Sequence, residues 1–252
     1  MKDCEFYKFK LIHKTDYPLL NNVDIAIVLT LEDSKRKFED PVLLNLARET
    51  YLQINKGYKK CNKPGVTDSV EDITHAYKNV FKNTDKFNNV LIFEDDAMYN
   101  KKYSIYHFKE IDKFISQTNF NIYSLGCISI NFPDLKDHRY IISQLGGAHS
   151  IIYSKAARYK LLNTPGYHID TDLIYTLDKK YKYKHPLVCQ TFPVTENKKI
   201  WEDDSEIFNI YLNFTGGDKS IEPFWTGIYY LDFLVYILIP VIVIILIFIF
   251  RK

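Results

Sequence analysis

The chain has 252 residues, with 33 Lys and Arg against 31 Asp and Glu and a formal net charge of +2. That balance gives no global electrostatic case for nucleic acid as a partner. The length suits one sizeable core plus an appendage, and four scattered cysteines without a C-x-x-C pair exclude a zinc site and a dense disulfide framework.

Taken in order, residues 1–22 alternate aromatic and basic side chains and predict at most an edge strand. Lys2, Asp3, Glu5, Lys8 and Lys10 leave no apolar segment for a secretory signal peptide. The run 23–31 is apolar apart from Asp24 and reads as a buried strand, followed by the polar turn Glu32-Asp33-Ser34-Lys35-Arg36. The first strand of a nucleotide-binding α/β domain delivers such a turn to its ligand crevice. Arg36, or Lys35, is therefore a candidate to meet a diphosphate, with a solvated loop as the alternative. Asp40-Pro41 is an N-cap followed by proline at the first helical position and predicts a helix over 41–52. Lys56, Lys59, Lys60 and Lys63 then read as a solvated basic loop. Ser69-x-x-Asp72 has the form of a capping box and opens a helix burying Val70, Ile73, Tyr77, Val80 and Phe81.

The run Val90-Leu91-Ile92-Phe93 leads straight into Glu94-Asp95-Asp96. An apolar strand ending in carboxylates places them at the C-terminal edge of a sheet, where ligands of open α/β folds bind. If extended geometry continues, Glu94 and Asp96 share a face and Asp95 points away. Two such carboxylates can hold a hard divalent cation while leaving positions for substrate phosphates.

Beyond them, the pattern predicts a helix over 106–118 burying Phe108, Ile111, Phe114 and Ile115, then strands over 120–125, 140–143 and 149–153. Gly146 and Gly147, between the last two strands, would let backbone approach a bound sugar, or simply make a tight turn. A short helix over 155–162 precedes Tyr167-His168-Ile169-Asp170-Thr171-Asp172, which opens another. Residues 183–192 close the domain. The alternation of strands and helices predicts an α/β fold with a mostly parallel sheet. His149 and His185 are each a third metal ligand or a polar pocket residue. The four thiols are expected to be reduced.

The C-terminal part divides into a tether over 196–227 and an uncharged apolar stretch within 228–250. That stretch is long enough to cross a bilayer, which takes about 20 residues. Phe224, Trp225, Tyr229 and Tyr230 would sit at the near interface. A span this close to the C-terminus predicts a single-pass, tail-anchored protein with its catalytic domain in the cytosol. Arg251-Lys252 and the sequon Asn213-Phe214-Thr215 point the other way.

The first strand with Arg36, the helix carrying Thr74-His75, the strand with Glu94-Asp95-Asp96, and Gly146-Gly147-Ala148-His149 through Ser154-Lys155-Ala156-Ala157 to Asp170 together resemble glycosyltransferase family 25, which has viral members. The resemblance covers about residues 23–195 within a domain of residues 1–195. Thr30-Leu31 and Thr74-His75 depart from the Asn-Leu and Ser-His common in that family. The resemblance implies a GT-A fold, a Rossmann-like sandwich. It also implies a UDP-sugar or similar nucleotide sugar as donor, Mn²⁺ or Mg²⁺ as cofactor, and a hydroxyl of a glycan, lipid or protein as acceptor, with inversion at the sugar. On that reading Glu94 and Asp96 hold the metal. Arg36, Glu94, Asp95, Gly146 and Gly147 contact the donor. Asp170, with Asp172 as second choice, takes the acceptor proton. The competing readings are a metal-dependent hydrolase, for which no second His/Asp cluster is visible, and a membrane-anchored structural or interaction protein on an inactive transferase fold.

Overall fold

The computed structural model describes residues 4–134 and 137–190, except the side chains of several residues in 128–134 and 142–146, together with scattered positions between 238 and 249. The expected tether lies outside the described residues, and so does most of the expected membrane segment. Among the described residues no helix is long and apolar enough to cross a membrane.

The protein is a mixed α/β fold built on a nine-stranded sheet. Strand β1 (Tyr7–Lys14) forms one edge and pairs antiparallel with β3 (Glu49–Asn55). Next come β2 (Ile25–Leu31), parallel to β3, and β4 (Asn89–Glu94), parallel to β2. The remaining order is β9 (Ser150–Ser154), β6 (Ile122–Ser124), β10 (Lys180–Tyr183), β8 (His138–Gly146) and β7 (Ile128–Asp134). Among the described residues, outside the β3-β2-β4 unit only β6 and β10 run parallel. The mostly parallel sheet expected from the alternation is thus corrected to a mixed one. The crossovers through α1 (Pro41–Leu44) and α2 (Ser69–Asn83) produce parallel neighbours. In contrast, β9 inserts antiparallel between β4 and β6, and β7 and β8 pair antiparallel on the far edge. A separate two-stranded ribbon joins β5 (Ala97–Tyr99) to β11 (Val188–Gln190).

Period-two alternation sorts the core. Ala26, Val28, Leu91 and Phe93 face a layer containing Leu43 of α1 and Phe108, Ile111 and Phe114 of α3 (Tyr106–Gln117). Ile25, Ile27, Leu29, Val90 and Ile92 face Tyr77, Val80 and Phe81 of α2 and Leu161 of α4 (Lys155–Asn163). Each Val, Leu, Ile or Phe side chain among them, once fully buried, contributes about 1.5–3 kcal/mol of transfer free energy. Continuing the alternation by one residue places Glu94 on the α2 face.

Several local expectations are overturned. The helix expected over 41–52 stops at Leu44, with Asp40 capping Val42 and Leu43 N–H groups, and the chain re-enters the sheet as β3. Thr50, Tyr51 and Ile54 are strand formers, and pairing on both sides outweighs a helical reading of the same apolar spacing. The cap of α2 is Asp68 rather than Ser69. Its Oδ1 accepts from Val70 and Glu71 N–H, while Glu71 reaches back to Thr67 N–H. Lys63, expected in a solvated loop, is fully buried and paired with Asp72 and Asn55. Cys4 and Cys61, expected as reduced thiols, form a disulfide that ties the start of the chain to the loop before α2. Their sequence separation of 57 residues left no local pattern from which to read the pairing.

Candidate functional site

The parallel strands β2 and β4 end side by side, and their C-terminal residues build the site. After Glu94 the chain turns through Asp95 and Asp96 before β5 begins at Ala97. The turn separates the three carboxylates. Asp95 points to the β2 side, accepting from Thr30 Oγ1 and Ser34 Oγ, both at 2.7 Å, and from Arg36 Nη2 at 3.0 Å. Glu94 and Asp96 are gathered by one side chain, Gln190. Its Nε2 donates to Glu94 Oε2 at 3.4 Å and to Asp96 Oδ2 at 3.2 Å.

Gln190 reaches them because β11 is fixed at both ends. Gln190 lies opposite Ala97 in the β5–β11 ribbon. Leu187 and Val188 donate to Leu125 O at 2.9 and 3.2 Å. Gly126 permits that approach, since a Cβ there would stand 1.8 Å from the Val188 carbonyl oxygen.

On the α2 face, the Tyr77 hydroxyl lies 3.3 Å from Glu94 Oε1 and 3.0 Å from Ala148 O. A phenol has one hydrogen. When it goes to Ala148 O, the Glu94 contact is satisfied by a protonated carboxyl donating to the phenol oxygen. The electrostatics agree, because burial, then the Asp96 and Asp170 carboxylates, push the Glu94 pKa well above the usual range. Asp96 is raised to about 6 by burial, opposed by Arg36 and by Gln190. Arg36 Nη1 stands 3.6 Å from Asp96 Oδ2, and the arginine side chain is 32% exposed. Asp96 Oδ1 is buried and has no hydrogen-bond partner among the described residues.

Asp170 belongs to the same cluster. It lies in a single π-helical turn, Ile169–Leu173, where the α4 connection brings it under the β8–β9 link. Its Oδ2 accepts from Gly147 N–H at 3.1 Å and Ala148 N–H at 3.2 Å, and burial raises its pKa. Gly147 adopts φ +82°, a backbone conformation that favours glycine. Gly146 ends β8, paired with Ile128.

Asp172 is not brought into the cluster. Its exposed carboxylate accepts from Tyr167 and His168 N–H and from Thr171 Oγ1, and the backbone bond from His168 leads the causes that lower its pKa. Nor do two of the histidines belong there. His75 stacks on Tyr7 and bonds its hydroxyl, and His185 stacks on Tyr103. His149 is adjacent, bonded through Nε2 to Val188 O, and burial lowers its pKa to about 4, so its ring is neutral at physiological pH.

Among the described residues no group of three or more His, Cys, Asp or Glu is arranged to hold a metal. The donor set is a pair of carboxylates with one buried unpartnered oxygen, which fits a hard divalent cation sharing its remaining positions with a substrate. Sequence reasoning missed Gln190 and Tyr77 as site residues. Gln190 sits in an unremarkable stretch, and Tyr77 carried only a helical-core signal.

No known family model matches the sequence, and no curated protein matches it. Among solved structures, the one titled "Crystal Structure of A197 from STIV" is similar with a TM-score of 0.42 and 10% identity, covering 67% of this chain and 85% of that one.

Proposed function

We propose that the protein is a metal-dependent glycosyltransferase of GT-A type, moving a sugar from a UDP-sugar or similar nucleotide diphosphate sugar to a hydroxyl of a glycan, lipid or protein, with inversion. The observation that carries this reading is the convergence of Glu94 and Asp96 at the C-terminal ends of parallel strands, with a buried Asp96 oxygen left unpartnered. The resemblance to glycosyltransferase family 25 supports it through the same residues.

Glu94 and Asp96 would hold a Mn²⁺ or Mg²⁺ ion, which supplies the charge that neutralises the departing diphosphate. Arg36 braces Asp95 and Asp96 and, with its side chain 32% exposed, would meet the same diphosphate. Gly146 and Gly147 leave backbone at the sugar's wall. Asp170, held by two backbone N–H groups and raised in pKa, takes the acceptor proton as the acceptor oxygen bonds the anomeric carbon and the diphosphate leaves with the old bond pair. Asp172 is assigned to the turn.

Asp170→Asn is expected to collapse transfer while leaving UDP-sugar binding in place, and Asp172→Asn to leave both. Equal turnover in Asp170→Asn and the unmodified protein would sink the assignment. A specific observation favours a second reading, an inactive transferase fold with a structural or interaction role: Arg36 already contacts two of the three carboxylates. Mn²⁺-dependent protection by UDP in a thermal shift separates the two, because only a binding-competent site gains stability from ligand.

The membrane anchor over 228–250 forms part of the proposal. Leu238, Val241, Ile242, Ile244, Ile245, Ile247 and Ile249 are helical and exposed, as lipid-facing residues would be. The Cys4–Cys61 disulfide favours an oxidising compartment for the catalytic domain over the cytosol. Glycosidase-sensitive mobility through Asn213 is the expected result, and resistance together with reduced cysteines in cells would return the domain to the cytosol.

A further inference from the structure

Gln190 bridges the two carboxyl groups proposed to hold the metal. One carboxamide nitrogen serves both, Glu94 Oε2 at 3.4 Å and Asp96 Oδ2 at 3.2 Å, so its hydrogens sit where the two groups converge. A divalent cation held by those carboxylates would meet the same N–H groups head-on. The side chain would then have to leave or turn. Leaving is opposed by its surroundings: Gln190 is buried, paired to Ala97 in the β5–β11 ribbon, and follows Leu187 and Val188, both bonded to Leu125 O. Turning exchanges two atoms of similar size and moves no backbone. The amide oxygen faces Gly147, where an added Cβ would stay 3.8 Å from Oε1, with the ring of His149 beside the same point. Rotation about the terminal carbon–carbon bond exchanges Nε2 for Oε1, and a glutamine carbonyl oxygen is a hard ligand of the kind Mg²⁺ and Mn²⁺ accept.

We propose that Gln190 is the third protein ligand of the cation bound by Glu94 and Asp96, its carboxamide turning so that Oε1 replaces Nε2 toward the metal. The inference rests on the metal-site reading above. In the cation-free protein the amide bridges the two carboxylates, and in the loaded protein it coordinates. This gives the two acidic ligands a third protein oxygen. It also leaves coordination positions for donor oxygens.

The test is Mn²⁺ binding to the full-length protein, followed by the loss of the free-ion electron paramagnetic resonance signal, with no substrate present. Gln190→Leu is expected to weaken Mn²⁺ binding tenfold or more. Gln190→Met keeps the length but offers a thioether, so it is expected to shift preference from Mn²⁺ toward the softer Cd²⁺ by a similar factor. A purely bridging amide would not produce that shift. Mn²⁺ binding in Gln190→Leu as tight as in the unmodified protein, or an unchanged Mn²⁺/Cd²⁺ ratio in Gln190→Met, overturns the proposal and leaves the two-carboxylate site standing. Absence of Mn²⁺ binding in the unmodified protein overturns the metal-site reading and this inference with it. Should Gln190→Leu fail to fold, the ratio in Gln190→Met decides alone.

Discussion

Two buried charge clusters lie at neighbouring corners of the same sheet, and they are built on opposite terms. In one, Lys63 is matched by Asp72 and Asn55, and Asp72 in turn accepts from Asn55 Nδ2 at 3.1 Å and Tyr58 N–H at 3.2 Å. The other crowds Glu94, Asp96 and Asp170 together, has one arginine on its rim, and leaves an Asp96 oxygen unpartnered. Matched buried charge holds a fold in register. Charge buried without a match stores unfavourable energy that a ligand can release, and for that reason perturbed carboxylates mark candidate sites.

The contrast breaks most visibly at Lys63. Removing Asp72 leaves an uncompensated buried ammonium, so Asp72→Ala is expected to cost about 3–5 kcal/mol in urea denaturation. A loss below about 1 kcal/mol would mean that the pair contributes no more than a surface salt bridge.

The second cluster should behave with the opposite sign. The Asp96 pKa is raised to about 6 by burial. Between the ordinary aspartate value and that point the folded state binds more protons than the unfolded state, so its stability falls as pH rises through the window and stays lower above it. At about 1.4 kcal/mol per pKa unit, the penalty at pH 8 is on the order of 3 kcal/mol at most. Asp96→Asn is therefore expected to raise the melting temperature of cation-free protein at pH 8 and to have little effect at pH 4, while abolishing the stabilisation by Mn²⁺. A destabilised Asp96→Asn protein at pH 8 would show that the cluster is already matched.

A third substitution sets the scale for ordinary polar contacts. Asp68 caps α2 from a half-buried position, and Asp68→Ala is expected to cost about 1 kcal/mol. If it costs as much as Asp72→Ala, burial is not what separates the clusters.

Much of the frame is legible in the sequence. The apolar runs of β2 and β4 announced themselves, α3 fell where Phe108, Ile111, Phe114 and Ile115 recur, and β1 proved to be the edge strand its alternation suggested. Residues 41–52 misled because Val42, Leu43 and Leu46 fit a helix while Thr50, Tyr51 and Ile54 fit a strand, and only β1 and β2 on either side decided between them. Lys63 misled because a lysine among lysines reads as solvated until its partner, nine residues on, folds over it.

The sequence by itself determined that carboxylates end a buried strand, and its period of two placed Glu94 on the face of Ile92. Those properties are local, set by which side of the pleat each residue occupies. The tertiary structure alone decided that Asp95 would bond β2 residues, that Asp170 would lie beneath Gly147, and that Gln190, 94 residues from Asp96, would bridge the pair. Those contacts depend on how β9, β5 and β11 pack around the end of β4, and loop closure over such distances leaves no periodic trace in the chain.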